Sequence, residues 1–443
     1  MKTLLAALFV VGGLVIGIAP SGVGASNGFR PFGIVYHSGA PVAHTAATRA
    51  TTTTATALGC GSISCATYKS GVDGFLTDVA SASGQSTNVY SVGTQYGDNS
   101  GTLAYTEAFG ASYVDTSAFP TSGNCPAGTY SACLTEPQLV AEIQKDLATK
   151  GWSASSSKMF FILLPANVDT CGDSSGGQCA SNAFCAYHDS AGSLIFAVEP
   201  FNASFSCSGA GEPNNPQGFP NGPEIDESVN TVSHEANEAI TDPYGTGWYS
   251  AQGNENGDLC AWWFGAPLGT AANGQPYNQL IGGHAYSLQQ EFGNSANLGA
   301  GGCLQSLTGT ASTASPYVGG DAGPLLSHGG PVMHSVTSYT IYWIPGAKPA
   351  VITKPVISGT AKVANQLGVN LGSWTNSPDS YAIQWLRCSS TGTMCKAITG
   401  ASHGTYVPTT NDAGHKLEVK VTATNYAGTS KAALSNKTAA VKK

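Results

Sequence analysis

Residues 67–240 alternate between helical and strand-like patterns, and this alternation constrains the fold more than any other feature of the sequence. Two segments carry helical periodicity, YKSGVDGFLTDVASAS (68–83) and TEPQLVAEIQKDLATKGW (135–152), and a third helix is expected after residue 222. Three segments are rich in β-branched and aromatic residues: TNVYSVGTQY (87–96), KMFFILLPA (158–166) and SLIFAVEPF (193–201). The alternation predicts an α/β sandwich with a largely parallel sheet, because each crossover helix returns the chain to start the next strand in the same direction.

The sequence pattern changes near Lys348. Short alternating runs, separated by Gly, Asn and Pro turns, predict a small all-β sandwich over residues 347–443. Trp374, Trp385 and Tyr406 are its expected core aromatics. The predicted organisation is a signal peptide (1–25), a Thr-rich segment (26–66), an α/β domain (67–346) and the C-terminal sandwich (347–443).

The first 25 residues have the features of a secretory signal. Lys2 provides a positive start, LLAALFVVGGLVIGIA (4–19) an apolar core and VGA (23–25) a small-residue cleavage site. A membrane anchor is the alternative, but the apolar core is short for a bilayer span of about 20 residues. We therefore expect a secreted protein, extracellular or associated with a cell wall, with no membrane span once the signal is removed.

Twelve cysteines accompany this signal, and disulfide pairing in an oxidising compartment requires such an even number. No Cys-x-x-Cys pair occurs, so the spacing of a zinc ribbon is absent. The spacing predicts the pairs Cys60–Cys65, Cys125–Cys133, Cys388–Cys395 and Cys260–Cys303. The sequence leaves open how the remaining four cysteines pair: Cys171, Cys179, Cys185 and Cys207.

Charge is unevenly distributed along the chain. From Gly346 onward eleven Lys or Arg face three Asp or Glu, a balance of +8, whereas the preceding part has seven against twenty-three, a balance of −16. The basic C-terminal module is therefore a candidate for binding an anionic wall polysaccharide through a salt-sensitive attraction. The alternative is a surface that only confers solubility. A nucleic-acid partner is not expected, because the sequence lacks a stripe of basic and aromatic residues.

The stretch TVSHEANEAITDP (231–243) contains His-Glu-x-x-Glu, where a zinc peptidase carries His-Glu-x-x-His. Its helix is expected to begin at Pro223 and to end at Asp242, before Pro243. At about 100° per residue, His234 and Glu238 lie one turn apart on a shared face. That face is opposite an apolar stripe of Ile225, Val229, Val232, Ala236 and Ala239.

Two interpretations of this helix are open. A solvated face that happens to carry a histidine and a glutamate is the simpler one, and the spacing alone favours it. A cation site is supported by Glu238 and Asp242, which lie in the last helical turn, where the helix dipole repels carboxylates. It is also supported by Glu255 and Asp258 in the following loop, GNENGDLC (253–260). A cation at the end of the helix would offset the repulsion between the helix dipole and these carboxylates, and it would bind a carboxylate of the loop.

In the cation interpretation, His234 and Glu238 are the helix ligands, and either Glu255 or Asp258 is the third. Glu235 is then the expected catalytic residue, acting as general base on a water held by the metal. Zn²⁺ is a candidate cofactor. Ca²⁺ or another divalent cation is the alternative, because replacing a second imidazole by a carboxylate makes the site harder and more anionic.

His188, in CAYHDS (185–190), is another polar residue of interest. A histidine beside a half-cystine and a strand is more often a structural hydrogen-bonding residue than a metal ligand. We therefore expect a structural role for it, with ligation as the alternative.

Residues 30–306 resemble the secreted phosphate-induced, or EXORDIUM-like, family, most closely its bacterial members. Six phrases carry the resemblance, in this order: TNVYSVGTQYGD, CLTEPQLVAEI, FCAYHDS, SHEANEAITDP, GNENGDLCAW and YSLQQEFGNS. The plant members of this family are associated with growth and the cell wall, and the family implies no settled reaction.

Two further resemblances concern the fold. The order of strands and helices before the helix at 223–242 resembles the zincin peptidase fold, whose active-site helix follows a mixed sheet. Residues 350–441 resemble the immunoglobulin-like modules of secreted bacterial proteins, through the phrases SGT, YxxQWxRC, CxAIxG and VTATNxAG. The expected fold is therefore a zincin-like mixed sheet with helices, followed by an immunoglobulin-like sandwich.

One feature departs from the EXORDIUM-like pattern. The family opens with a Gly-Gly-Pro-Val-Met stretch that leads into the first strand, whereas here HGGPVMHSVTSYTIYWIP stands at residues 328–345. We infer a circular permutation, in which a strand at 335–345 containing Tyr339–Trp343 fills the vacant position in the sheet. The alternative is a truncated second copy, which would leave this strand unpaired.

Two classes of function are consistent with these features. The first is a secreted zincin-like metalloprotein, in particular a metal-dependent peptidase that acts on peptides or wall polymers outside the cell. The second is a non-catalytic protein that binds a wall polymer or carbohydrate, in which the acidic residues of the helix only hold structure.

Overall fold

The computed structural model describes residues 58–121, 130–172, 178–205, 207, 217–312 and 321–443. The predicted signal peptide, most of the Thr-rich segment and Cys125 lie outside these ranges. Within them, a mixed α/β part is followed by a β-rich C-terminal part.

Three long helices form where the sequence predicts them: α1 (Cys65–Ser81), α2 (Glu136–Lys150) and α3 (Pro223–Thr241). Local signals mark their ends. The Ser64 hydroxyl accepts a hydrogen bond from the Thr67 backbone N–H at the start of α1, and Gly151 ends α2 in the left-handed conformation, with φ of 68°. Pro223 occupies the first position of α3, and the helix stops before Pro243 because the residue preceding a proline disfavours helical geometry.

A five-stranded sheet forms the centre of the α/β part. Its strands are β1 (Glu107–Asp115), β2 (Lys158–Leu163), β3 (Tyr187–Ala191), β4 (Leu194–Glu199) and β5 (Val336–Trp343). Their order across the sheet is β1–β5–β2–β4–β3. All neighbours are parallel except β3, which pairs with β4 as an antiparallel edge strand. The prediction of an α/β fold with a largely parallel sheet is confirmed.

Strand β5 comes from the segment predicted at residues 335–345, and it is paired along both edges. Ile341 lies opposite Tyr113 of β1 on one side and Ile162 of β2 on the other. The alternative of an unpaired, exposed strand is therefore wrong. The circular permutation itself remains a prediction.

The segment 87–96 was expected to be a strand, and this expectation is wrong. Residues Val89–Gln95 form a 3₁₀ helix instead. Asn88 explains the difference, since its side chain accepts a hydrogen bond from the Tyr90 N–H at 3.1 Å and its carbonyl accepts one from the Ser91 hydroxyl at 2.6 Å. Such local side-chain bonds to the backbone compete with strand pairing.

The sheet separates two apolar layers, because successive strand residues point to opposite faces. Met159 and Phe161 of β2 belong to the cluster that includes α1 and α3, whereas Phe160 and Ile162 belong to the cluster that includes α2. Helix α3 is enclosed on all sides, since every residue from Ile225 to Thr241 is buried.

Five disulfides are present among the described residues. The predicted pairs Cys60–Cys65, Cys260–Cys303 and Cys388–Cys395 are confirmed. The four cysteines that the sequence left open pair as Cys171–Cys179 and Cys185–Cys207. The predicted pair Cys125–Cys133 involves a residue outside the described ranges.

The C-terminal part has its own apolar cluster, which contains Trp374 and Trp385, with Tyr406 packed against it, as predicted. Two long strands, Ser380–Cys388 and Lys416–Asn425, pair antiparallel along almost their whole length. The other strands of this part are Val351–Thr353, Val356–Ser358, Leu367–Asn370, Ser373–Trp374, Lys396–Ala397, Thr405–Tyr406, Gly428–Thr429 and Ala433–Leu434.

Short elements occupy the connections of the α/β part. The strands are Gly97–Asp98, Gly101–Thr102, Ala132–Thr135, Val168–Cys171, Trp248–Tyr249, Gly269–Thr270, Pro276–Tyr277, Gln279–Ile281, His284–Tyr286, Glu291–Gly293, Gly302–Leu304 and Leu326–Ser327. Short helical turns lie at Asn202–Ser204, Asp258–Cys260 and Ala296–Gly299, with one more at Thr410–Asp412 in the C-terminal part. Among the helices that the structure describes, none combines the length and apolar character that a membrane span needs.

The inner position of β5 leads to a stability prediction. Replacing Ile341, which is fully buried, by Ala should lower the free energy of unfolding by about 2–5 kcal/mol, because it leaves a cavity in the apolar layer between the sheet and α2. The same substitution at Ile352, which is 63% exposed, should change it by less than about 0.5 kcal/mol. Urea denaturation followed by far-ultraviolet circular dichroism measures both, and equal effects would contradict the central packing of β5.

Candidate metal centre

Helix α3 brings its acidic motif into the interior rather than to the surface. His234 is 1% exposed, and Glu235 and Glu238 are fully buried. The interpretation of this face as solvated is therefore wrong. Segments that follow the helix cover it, since the Asp258 N–H donates to Glu238 Oε1 at 2.9 Å and the Gln289 N–H donates to the Asn230 side chain at 2.8 Å.

The loop after α3 is fixed against the helix by three constraints. A 3₁₀ turn, Asp258–Cys260, follows Gly257 directly, and the Cys260–Cys303 disulfide holds its end. The Glu255 N–H donates to Asp258 Oδ2 at 3.2 Å. At Gly257 the backbone approaches the helix so closely that an added Cβ would lie 2.8 Å from His234 Nδ1 and 3.0 Å from Glu238 Oε1.

His234, Glu238 and Asp258 direct potential ligand atoms toward one point. His234 Nε2 lies 2.9 Å from Glu238 Oε1 and 3.9 Å from Asp258 Oδ1. Two ligands of a tetrahedral zinc ion, with bonds of about 2.1 Å, are about 3.4 Å apart. The three buried side chains therefore have the spacing that a shared cation requires.

The approach of His234 to Glu238 does not have the geometry of a hydrogen bond. Neither ring nitrogen of His234 has a hydrogen-bond partner among the described residues, although Nε2 is 2.9 Å from a carboxylate oxygen. Burying a polar atom without a partner costs on the order of 1–3 kcal/mol. A cation between the two side chains would satisfy both, so the donor set fits a divalent metal.

The other two predicted site residues lie on the opposite side of Glu238. Glu235 Oε2 is 3.2 Å from His188 Nδ1, and Glu255 Oε2 is 3.9 Å from His188 Nε2. Of the two candidates for the third ligand, Asp258 therefore lies beside His234, whereas Glu255 lies beside His188. Glu235 faces His188 with Oε2, and its role as a general base remains a prediction.

His188 enters the centre from the edge strand β3. Its Nδ1 faces Glu235 Oε2 and, at 3.6 Å, Glu238 Oε2, so its ring lies in the cluster and is 2% exposed. The sequence pointed to a structural histidine here, because nothing in the local pattern shows that the edge strand packs against α3.

Two acidic residues near the centre did not stand out in the sequence. Glu291 is buried and accepts a hydrogen bond from the Asn256 side chain at 2.9 Å, and Glu199 accepts one from the Thr231 hydroxyl at 2.8 Å. Glu291 lies in the phrase YSLQQEFGNS, one of those that carry the EXORDIUM-like resemblance, and this was the available signal.

Burial and like charges strongly perturb these groups. Burial, with nearby carboxylates, raises the pKa of Glu255 and Asp258 well above the ordinary range. Burial opposes the ionisation of Glu238, but His234 and His188 outweigh it and lower the pKa of Glu238 to about 2. Burial also opposes the charged form of His234, but Glu238 and its acidic neighbours raise the pKa of that ring to about 10. The centre therefore needs positive charge, from protons or from a cation.

Asp242 requires no cation, which corrects one argument made from the sequence. Its Oδ1 accepts hydrogen bonds from the Thr246 and Gly247 backbone N–H groups, both at 2.6 Å. These donors offset the repulsion by the helix dipole at that residue. For Glu238, the Asp258 N–H has this role.

No family model matches the chain, and no curated protein matches it significantly.

Gly257 offers a test of the cation site that changes no ligand. Gly257→Ala should lower divalent-cation affinity by about 10- to 100-fold, the effect of disturbing groups that orient metal ligands, because the new methyl group displaces His234 and Glu238. Gly74→Ala in α1 is the matched control, since no atom lies within 4 Å of the added Cβ. Isothermal titration calorimetry of the two variants measures the effect. An unchanged affinity in Gly257→Ala would contradict the site.

Proposed function

We propose that this chain is a secreted, zincin-like metalloprotein in which His234, Glu238 and Asp258 hold a divalent cation. One observation carries the proposal: His234 Nε2 is buried, lies 2.9 Å from Glu238 Oε1 and forms no hydrogen bond with it. A protonated ring would meet the same need for charge, but its N–H does not point along a hydrogen bond to that oxygen. A cation bound to both atoms has no such directional requirement.

The donor set limits the choice of metal. One imidazole nitrogen and two carboxylate oxygens suit Zn²⁺, with Ca²⁺ or another divalent cation as the alternative. The two carboxylates carry a charge of −2 when ionised, which one divalent cation balances. Such a cation would join α3 to the 255–260 loop and so contribute to folding.

The setting of the centre supports an extracellular role. Five disulfides are typical of proteins that fold in an oxidising compartment. The resemblance to the EXORDIUM-like family and the position of α3 after a mixed sheet support the zincin-like assignment. The β-rich C-terminal part supports an immunoglobulin-like module. Its excess of basic residues suits an anionic wall polysaccharide.

A peptidase is the second candidate function. The observation that favours it is Glu235 Oε1, a buried carboxylate oxygen beside the ligands that has no hydrogen-bond partner among the described residues. A bound cation would supply Lewis acidity toward a peptide carbonyl, and Glu235 would hold and move the proton. The full burial of Glu235 and its contact with His188 favour the non-catalytic metalloprotein instead.

Metal content tests the proposal directly. The secreted protein, after dialysis against metal-free buffer, should retain at least one equivalent of a divalent metal by elemental analysis. Removing it with a chelator should lower the free energy of unfolding by about 2.7 kcal/mol, relative to protein with free metal at a hundred times Kd. Asp258→Asn should retain one equivalent fewer than wild type, whereas Asp379→Asn, at an exposed position of the C-terminal part, should retain as much as wild type. A wild-type protein without metal would exclude the metalloprotein.

Peptide hydrolysis separates the two candidates. If the protein is a peptidase, wild type should cleave an unfolded protein substrate, and Glu235→Gln should lower the rate by about 10²- to 10⁴-fold, the range for loss of a general base. Glu418→Gln, in the C-terminal part, should leave the rate unchanged. A metal-loaded wild type that cleaves nothing would exclude the peptidase and leave the metalloprotein.

A further inference from the structure

We infer that the centre holds a second divalent cation, bound by His188 Nδ1, Glu235 Oε2 and Glu238 Oε2, with Glu238 bridging the two ions. This inference rests on the proposed function, because the first cation uses the other oxygen of Glu238. It gives Glu235 and His188 roles as metal ligands.

The three ligand atoms have suitable spacing. His188 Nδ1 lies 3.2 Å from Glu235 Oε2 and 3.6 Å from Glu238 Oε2. These values bracket the separation of about 3.4 Å between two ligands of a tetrahedral ion with bonds of about 2.1 Å. All three residues are buried, and they come from two elements, the edge strand β3 and helix α3.

The surroundings of His188 are compatible with a metal on Nδ1. Nε2 lies 3.4 Å from the backbone carbonyl oxygen of Asp242, which can only accept. A neutral ring with its hydrogen on Nε2 would present a lone pair at Nδ1 toward Glu235 and Glu238. Without the cation, Nδ1 lies within hydrogen-bond distance of Glu235 Oε2, at 3.2 Å.

Glu238 has the orientation of a bridging carboxylate. Its Oε1 lies 2.9 Å from His234 Nε2 and accepts from the Asp258 N–H, whereas its Oε2 faces His188. Oε2 is buried and has no hydrogen-bond partner in the part of the chain that the structure describes. Each oxygen thus serves a different ligand set, as in sites where two metal ions lie about 3.5–4 Å apart.

The charge of the centre is compatible with two cations. Glu235, Glu238, Glu255 and Asp258 carry −4 together when all four are ionised and both histidines are neutral. Two divalent cations balance this charge, whereas a single cation requires two protons as well. Glu255 would not bind the second cation directly. Its carboxylate lies 3.9 Å from His188 Nε2 and would help to orient the imidazole ring.

A cation on Glu235 Oε2 would lower the basicity of that carboxylate and leave Oε1 as its free oxygen. The second cation would also tie the edge strand β3 to α3, as the first cation would tie the 255–260 loop to α3.

The test is metal stoichiometry in the full secreted chain, titrated with Zn²⁺ after dialysis against metal-free buffer. Wild type should bind two equivalents. His188→Gln should bind one, at the site of His234 and Asp258, and Asp258→Asn should bind one, at the other site. His403→Gln, at an exposed histidine of the C-terminal part, is the matched control and should bind two. The single equivalent retained by His188→Gln also shows that this variant folds.

The outcomes separate the two proposals. Two equivalents in wild type and one in each single variant support the second cation. One equivalent in both wild type and His188→Gln would overturn the second cation, would leave the proposed function intact and would make His188 an imidazolium paired with Glu235. No bound metal in wild type would overturn both.

Discussion

Negative charge buried without sufficient positive charge is the constraint on which this structure depends. Glu235 and Glu238 of α3 and Glu255 and Asp258 of the following loop are enclosed with only two imidazoles among them. Ionised carboxylates tolerate such burial only when cations, protons or aligned N–H groups compensate them. Two backbone N–H groups, those of Asp258 and Glu255, reach two of the eight carboxylate oxygens. A bound cation explains why the chain encloses these groups.

The rest of the fold positions these side chains. The sheet packs against the apolar stripe of α3, and its edge strand β3 places His188 beside Glu235. The Cys260–Cys303 disulfide fixes the loop that carries Asp258, and Gly257 allows it to approach the helix. β5, which comes from far along the chain, is an inner strand of the sheet and pairs with residues of β1 that are more than 200 positions away.

Local patterns were sufficient to predict the three helices, three of the five strands of the central sheet (β2, β4 and β5) apart from exact ends, and three disulfides. They also identified His234, Glu238 and Asp258, because a helical repeat places the first two side by side and the acidic loop follows directly. They failed at one local feature, and they failed where tertiary contacts decide. The 3₁₀ helix at Val89–Gln95 depends on Asn88 bonds that override strand propensity. The burial of α3 and the approach of His188 depend on packing that no sequence window contains.

Anomalous X-ray diffraction from crystals of the secreted chain, recorded at the absorption edge of the metal it retains, tests the central claim most directly. We expect an anomalous peak about 2.0–2.5 Å from each of His234 Nε2, Glu238 Oε1 and Asp258 Oδ1. The absence of any peak there, with His234 hydrogen-bonded to a carboxylate or to water, would contradict the account.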